Sequence, residues 1–128
     1  MEKGNDILSE QEIILHCVSE SQKIPVSIIT GRSRKEEIIY ARHAYCYISN
    51  TLLRIERANK PNSLSYAKIA GLINKDHATV IHAHTEIQNR IDTEKVIRFK
   101  MQELINKCRQ KLYKDITECE LITDFSFI

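Results

Sequence analysis

The sequence predicts an all-α protein, a bundle of five to six helices in a single domain. Three observations carry that prediction. Only three glycines and two prolines interrupt 128 residues, which suits long helices and not a many-stranded sheet. Helix-start patterns of the Ser-x-x-Glu type open two segments, at Ser9 and Ser33. The segment after Ser33 then repeats apolar residues every three or four positions for about six turns. With 42% hydrophobic residues, the chain has enough apolar surface for one core.

Taken in order, Ser9-Glu10-Gln11-Glu12 reads as a capping box, with Ser9 as N-cap and Glu12 at the third helical position. Ile13, Ile14, Cys17 and Val18 form the apolar stripe of a first helix ending near Ser21. Pro25 suits the first turn of a short helix, although a strand-like connector also fits Ile24–Ile29. Gly31 breaks the chain. Ser33-Arg34-Lys35-Glu36 reads as a second capping box, followed by Ile38, Ala41, Tyr45, Ile48, Leu52 and Ile55 as the spine of the core. Pro61 ends that run in a polar loop. A short helix begins near Ser63 or Ser65 and stops at Asn74, a residue type that tolerates left-handed backbone. Asp76 caps the next helix, expected to reach about Arg90. A last helix starts at Asp92-Thr93-Glu94 and turns Ile97, Met101, Leu104, Ile105, Cys108 and Leu112 inward.

Composition excludes several classes. No apolar run approaches ~20 residues, so no membrane partner is expected. Met1–Asp6 has no apolar signal core, and the expectation is a soluble cytoplasmic protein. Cys17, Cys46, Cys108 and Cys119 make no CxxC pair and read as reduced cysteines in helices. His82 and His84 form H-x-H without a third ligand nearby, so no metal site is expected, and His82 reads as packed or bonded to backbone. His43 and Cys46 lack the orienting group and oxyanion site that a nucleophile needs, so the chain does not read as an enzyme. No GxxxxGK[ST] loop is present, and neither a nucleotide nor another cofactor is expected.

The net charge of +2 conceals an asymmetry. Residues 1–30 hold two bases and five acids, residues 31–91 ten bases and five acids, and residues 92–128 seven of each. Positive charge therefore gathers around the two helices separated by Asn74 and Lys75. A helix, a tight turn and a second helix in that spacing form a helix-turn-helix, here at about residues 64–90. Such a unit places the N-terminal residues of its second helix in a DNA major groove. Those residues are Asp76, His77, Ala78 and Thr79. His77 can bond a base edge or a phosphate, Asp76 can accept from a cytosine amino group or cap the helix, and Ala78 and Thr79 can touch a thymine methyl. Lys75 is placed to neutralise a phosphate, and the helix N-terminus adds donors. Val80, Ile81 and Ile87 are expected to pack inward. Among Tyr40, Tyr45 and Tyr47, all able to stack on bases, the spacing puts Tyr45 in the core. Arg54, Arg57 and Lys60 either grip phosphates or solubilise their loop.

The segment Lys75-Asp76-His77-Ala78-Thr79-Val80-Ile81-His82-Ala83 resembles the signature of the C-terminal DNA-binding domain of the bacterial replication initiator DnaA, which runs Arg-Asp-His-Thr-Thr-Val, an aliphatic residue, His and Ala. Ser33-Arg34-Lys35, Ile38-Ile39 and Ala41-Arg42 resemble that family's Ser-Arg-Lys-Arg-Glu-Ile-Val-Leu-Ala-Arg-Gln segment, and Ser65-Tyr66 with Ile69 its Ser-Tyr-Pro-Glu-Ile-Gly segment. The similarity runs over roughly residues 10–91. It implies a bundle related to the Trp repressor and assigns roles: Arg34 in the minor groove, Arg42 on the DNA backbone, and Asp76, His77 and Thr79 facing the major groove or its phosphates. Ala83 matches a further contact. His43 stands where the family has Gln, Lys75 where it has Arg, Ala78 where it has Thr, and Glu36 at a basic position. The turn before Asp76 is about one residue shorter and lacks Gly-Gly, and the family's ATPase domain has no counterpart here.

These readings divide the chain into a helical DNA-binding domain, residues 1–114, and an acidic, aromatic tail, residues 115–128. The expected partner is double-stranded DNA, with about four to six phosphates neutralised and a salt slope of roughly −4 to −5. A homodimer, or a replication or transcription protein, is a further candidate partner. The alternative reading is an interaction module that docks on such a protein through the last helix and the tail.

Overall fold

The computed structural model describes residues 8–113, and the tail assigned to 115–128 lies outside them. Six α-helices follow one another: α1 (Glu10–Gln22), α2 (Val26–Ile29), α3 (Glu36–Asn50), α4 (Tyr66–Gly71), α5 (His77–Thr93) and α6 (Lys95–Leu112). No strand occurs among the described residues. Helix α3 is the axis of the packing: it contacts α5 and α1 most extensively and also meets α2 and α4, while α6 closes the bundle against α1 and α5.

The local rules explain most boundaries. Ser9 accepts from the Glu12 amide at 3.2 Å, and Glu12 accepts from the Ser9 amide at 2.8 Å, completing the capping box of α1. Ser65, not Ser63, caps α4 through the Lys68 amide at 3.1 Å. Pro25 sits at the N-cap of α2, so the short-helix alternative holds over the strand-like one. The expected capping box at Ser33 does not form. Helix α3 begins at Glu36 with Lys35 as N-cap, and the Ser33 hydroxyl instead accepts from the Lys35 amide at 3.3 Å. Ser33 thus turns the connecting loop and leaves the start of α3 without a side-chain cap.

The spine predicted for 38–55 runs through, with a change of pitch. After Asn50 the chain makes a π-helical turn over Thr51–Ile55, sealed by the Glu56 amide on the Thr51 carbonyl at 3.0 Å. The wider turn shifts the apolar phase. Leu52 and Leu53 are both buried, and Ile55, expected inside, faces solvent. Helix α5 runs three residues beyond the expected Arg90. Asp92 and Thr93 therefore belong to α5 and not to the last helix. Glu94 alone joins α5 to α6, and Arg98 donates to the Ile91 carbonyl at 3.1 Å, satisfying an end of α5 that would otherwise lack donors. No helix of the described residues is long and apolar enough to cross a membrane.

One guanidinium ties the described chain's ends together. Arg57, which follows the π-turn, donates to both carboxylate oxygens of Glu10 at 2.7 Å, to the Tyr113 hydroxyl at 2.9 Å and to the Asn62 carbonyl at 3.3 Å. Arg54 lies over the Tyr66 ring, 3.9 Å from its centroid. Of the Arg54, Arg57 and Lys60 group, Arg57 is buried and structural, Arg54 is half-buried against Tyr66, and Lys60 is exposed. The Glu10 and Tyr113 partners of Arg57 are 47 and 56 residues away, beyond the reach of local spacing.

The Arg57 hydrogen bonds hold the Glu10 carboxyl below the usual glutamate range. A carboxylate lowered in the folded state contributes stability that is present above its unfolded pKa, ~4.3, and is lost as pH falls through the lower folded value. Glu10 is partly exposed, which screens the pair. Arg57→Ala is expected to cost about 1–3 kcal/mol in urea unfolding at neutral pH. The gap from the parent protein should narrow below pH ~4, where Glu10 protonates.

Candidate nucleic-acid interface

The turn between α4 and α5 is built from its own backbone. Asn74 takes φ 60°, the left-handed conformation that ends α4, and the Lys75 amide returns to the Ala70 carbonyl at 3.0 Å. Here one Asn does the work of the family's Gly-Gly. Its side chain donates to the Thr30 carbonyl at 3.2 Å, tying the turn to the loop after α2. Helix α4 is itself located by the Tyr45 hydroxyl on the Ile69 carbonyl at 2.7 Å and by Gln11 on the Lys68 carbonyl at 3.1 Å.

Asp76 is the N-cap of α5: its Oδ1 accepts from the Thr79 amide at 3.2 Å and lies 3.4 Å from the Thr79 hydroxyl. Past the cap, the inward face of α5 is Val80, Ala83, Ile87 and Ile91, all buried. The first turn therefore stands clear of the fold, with Lys75, Asp76, His77 and Ala78 exposed and Thr79 half-buried. Ile81, expected to pack with Val80, lies on the exposed side at 45%.

Beside this turn lies an open groove of about 870 Å³ between the loop before α3, the outer face of α3 and the start of α5. Arg34, Arg42, His43, Lys75, Asp76, Ala78 and Thr79, seven of the nine predicted site residues, line it. His77 projects from the same helix end but outside the groove. Ala83 is a correction: it is wholly buried in the core and cannot touch a ligand, its small side chain serving the α3–α5 contact instead.

The Arg42 side chain is 6% exposed and turns inward, the Nε donating to the Ile29 carbonyl at 2.7 Å and a terminal nitrogen to the Gly31 carbonyl at 3.0 Å. Burial lowers its pKa from the ordinary arginine value. The guanidinium thereby holds the strand of chain that carries Arg32 and Arg34, both exposed. Alongside its place in the groove lining, Arg42 thus aims other arginines.

Two lining residues escaped the sequence reading. Arg32 had no motif to mark it. His82, read as packed, is exposed and meets His43 edge to face, with ring centroids 5.7 Å apart and planes at 82°. Its spacing from Ala78, one turn earlier, was the available signal. His84, by contrast, is half-buried, stacked on Tyr47 at 4.6 Å and bonded to Asn50 at 3.1 Å. Tyr47 joins Tyr45 in the core, its hydroxyl donating to Gln88 at 2.9 Å. Glu36 sits apart, in a second groove with Tyr40 and Arg90.

Cys17, Cys46 and Cys108 are buried free thiols, and burial pushes Cys46 up to about 12. No group of three or more His, Cys, Asp or Glu converges as a metal set among the described residues.

An exposed helix tip after a tight turn, flanked by cations on a rigid helical frame, defines the helix-turn-helix class of DNA-binding folds. The "Bacterial dnaA protein helix-turn-helix" family matches residues 11–87, and the chain belongs to that family. The chain is 33% identical over 111 residues to the chromosomal replication initiator protein DnaA of Campylobacter fetus, covering 86% of this chain and 23% of the relative. Against the protein of that name from Bacteroides thetaiotaomicron the identity is 30% over 99 residues, 77% of this chain and 19% of the relative. The chain spans about a fifth of the length of these relatives. Family membership supports binding to double-stranded DNA.

Substitutions at two positions separate framework from contact. Asp76→Ala should lower stability by about 1 kcal/mol through loss of the cap, whereas Asp76→Asn, which keeps a capping oxygen, should cost far less; thermal unfolding reads the difference. Arg42→Met should weaken DNA binding while leaving the slope of log affinity against log salt unchanged. A residue that neutralised a phosphate would flatten that slope by about 0.9.

Proposed function

We propose that this protein binds double-stranded DNA sequence-specifically and regulates replication or transcription. The first turn of α5 enters the major groove, with His77 and Ala78 at base edges, and Arg34 reaches the adjacent minor groove, an established use of arginine. Asp76 and Thr79 hold the tip in shape, and Lys75 and Arg32 take phosphates. The observation that carries this reading is the placement of exposed Arg32, Arg34 and Lys75 around one groove beside an unobstructed helix N-terminus. The positive potential gathers there because the acids at the start of α3, Glu36 and Glu37, face the second groove.

The structure bears on the expected salt dependence through the cations left around the groove. Arg42, Arg54 and Arg57 are committed to internal partners. Three cations around the groove predict a slope of roughly −3. A second reading, as an interaction module, draws on α6, where Val96 and Phe99 are 64% and 60% exposed.

In vitro selection from random duplexes, followed by mobility shift, tests the proposal. One motif should be enriched, and Arg34→Ala and His77→Ala should each weaken its binding by tenfold or more, consistent with about 1–3 kcal/mol for a base-reading contact. Absence of binding at low salt, or binding indifferent to both changes, would favour the interaction module.

A further inference from the structure

We infer that His43 and His82 together form a proton-linked phosphate subsite: His43, with the His82 ring against it, takes up a proton as a DNA phosphate enters the groove, so affinity rises as pH falls. This inference rests on the DNA-binding reading above and adds a ligand chemistry and a dependence on pH to it.

The geometry has two parts. The rings come from different helices, His43 from α3 and His82 from α5, and meet edge to face inside the cation-lined groove. His43 is half-buried at the groove wall and His82 is exposed, so an incoming anion has access to the pair. The edge-to-face contact at 5.7 Å sets the two imidazoles side by side at the wall of the groove.

The electrostatics disfavour a proton on His43 until an anion arrives. Burial is the largest influence on His43 and lowers its pKa, and neighbouring His82 acts the same way. Arg42 on its own helix and Arg90 from α5 add to the lowering, while Glu86, also from α5, opposes it. The remaining charges around the groove come from the loop, Arg32 and Arg34, and from the turn, Lys75 and Asp76. The free groove is therefore a poor place for one more positive charge. A phosphate reverses the sign of the nearest interaction and stabilises imidazolium. With the bound-state pKa above the free-state value, binding takes up a proton between the two, and the gain is complete below the free-state value.

The other described histidines do not share this arrangement: His16 lies on α1, in a separate groove. His84 is enclosed by Tyr47 and Asn50, and His77 projects outside the groove. The family's Gln at position 43 can bond a phosphate but cannot titrate, so the linkage belongs to this chain's own substitution.

The test is the affinity of the full chain for a duplex recovered by selection, measured by fluorescence anisotropy from pH ~8 to ~6 at constant ionic strength. Calorimetry in two buffers of different ionisation heat counts protons taken up. The parent protein should tighten as pH falls, by up to about tenfold per pH unit for one proton. Whatever their affinity at pH ~8, His43→Gln should lose most of that dependence and the proton uptake, and His82→Gln, which removes the partner ring, should reduce both. His77→Ala, though weaker throughout, should keep both. His82 is exposed, so its replacement does not threaten folding, and it backs up the more buried His43 variant. Equal pH slopes in the parent and both Gln variants would overturn the inference and leave DNA binding intact. Failure of the folded parent to bind any duplex would overturn both.

Discussion

The interface depends on one buried guanidinium. Arg42 gives its donors to the carbonyls of Ile29 and Gly31, and those two bonds decide where the chain between α2 and α3 runs. That segment carries Arg32 and Arg34 to the edge of the groove opened by α5. A charged group pays heavily for burial unless its donors are satisfied, so the clamp is strongly directional: it holds only when both carbonyls are in place. Asn74 completes the frame from the other side by fastening the inter-helical turn to Thr30. The loop and the helix tip are thus positioned against each other through contacts to a single short stretch, residues 29–31.

The groove and the core share helices, and that sharing explains which side chains are free. Helix α5 buries Val80, Ala83, Ile87 and Ile91 on α3 and α6, so its polar first turn has no internal partner to satisfy beyond the cap. The cap also uses Asp76, the one acid in the basic groove, for an internal bond. An otherwise repulsive carboxylate thereby becomes part of the framework.

Much of this arrangement was legible in local pattern. Ser9, Ser65 and Asp76 cap the helices they were expected to cap, because capping needs only a side chain and the next three residues. The positions Ile38, Ala41, Tyr45, Ile48 and Leu52 are buried as a 3.6-residue period demands. What escaped was set by distant residues or by altered pitch. Arg57 reads as a loop cation until Glu10 and Tyr113 come to it from far along the chain. Ile55 fits the period but falls beyond a turn of different pitch. In the site, a motif match located the helix tip, yet could not separate Ala83, which supports the motif from within, from residues that face outward.

The Arg57 clamp has a consequence for how this unit can sit in a larger architecture. Glu10, near one end of the described chain, and Tyr113, at the other, converge on the same side chain, which lies away from the groove residues. The first turn of α1 and the residue after α6 are therefore held to one side chain. A module with adjacent entry and exit can be spliced into a longer chain as a cassette, its geometry untouched by what flanks it.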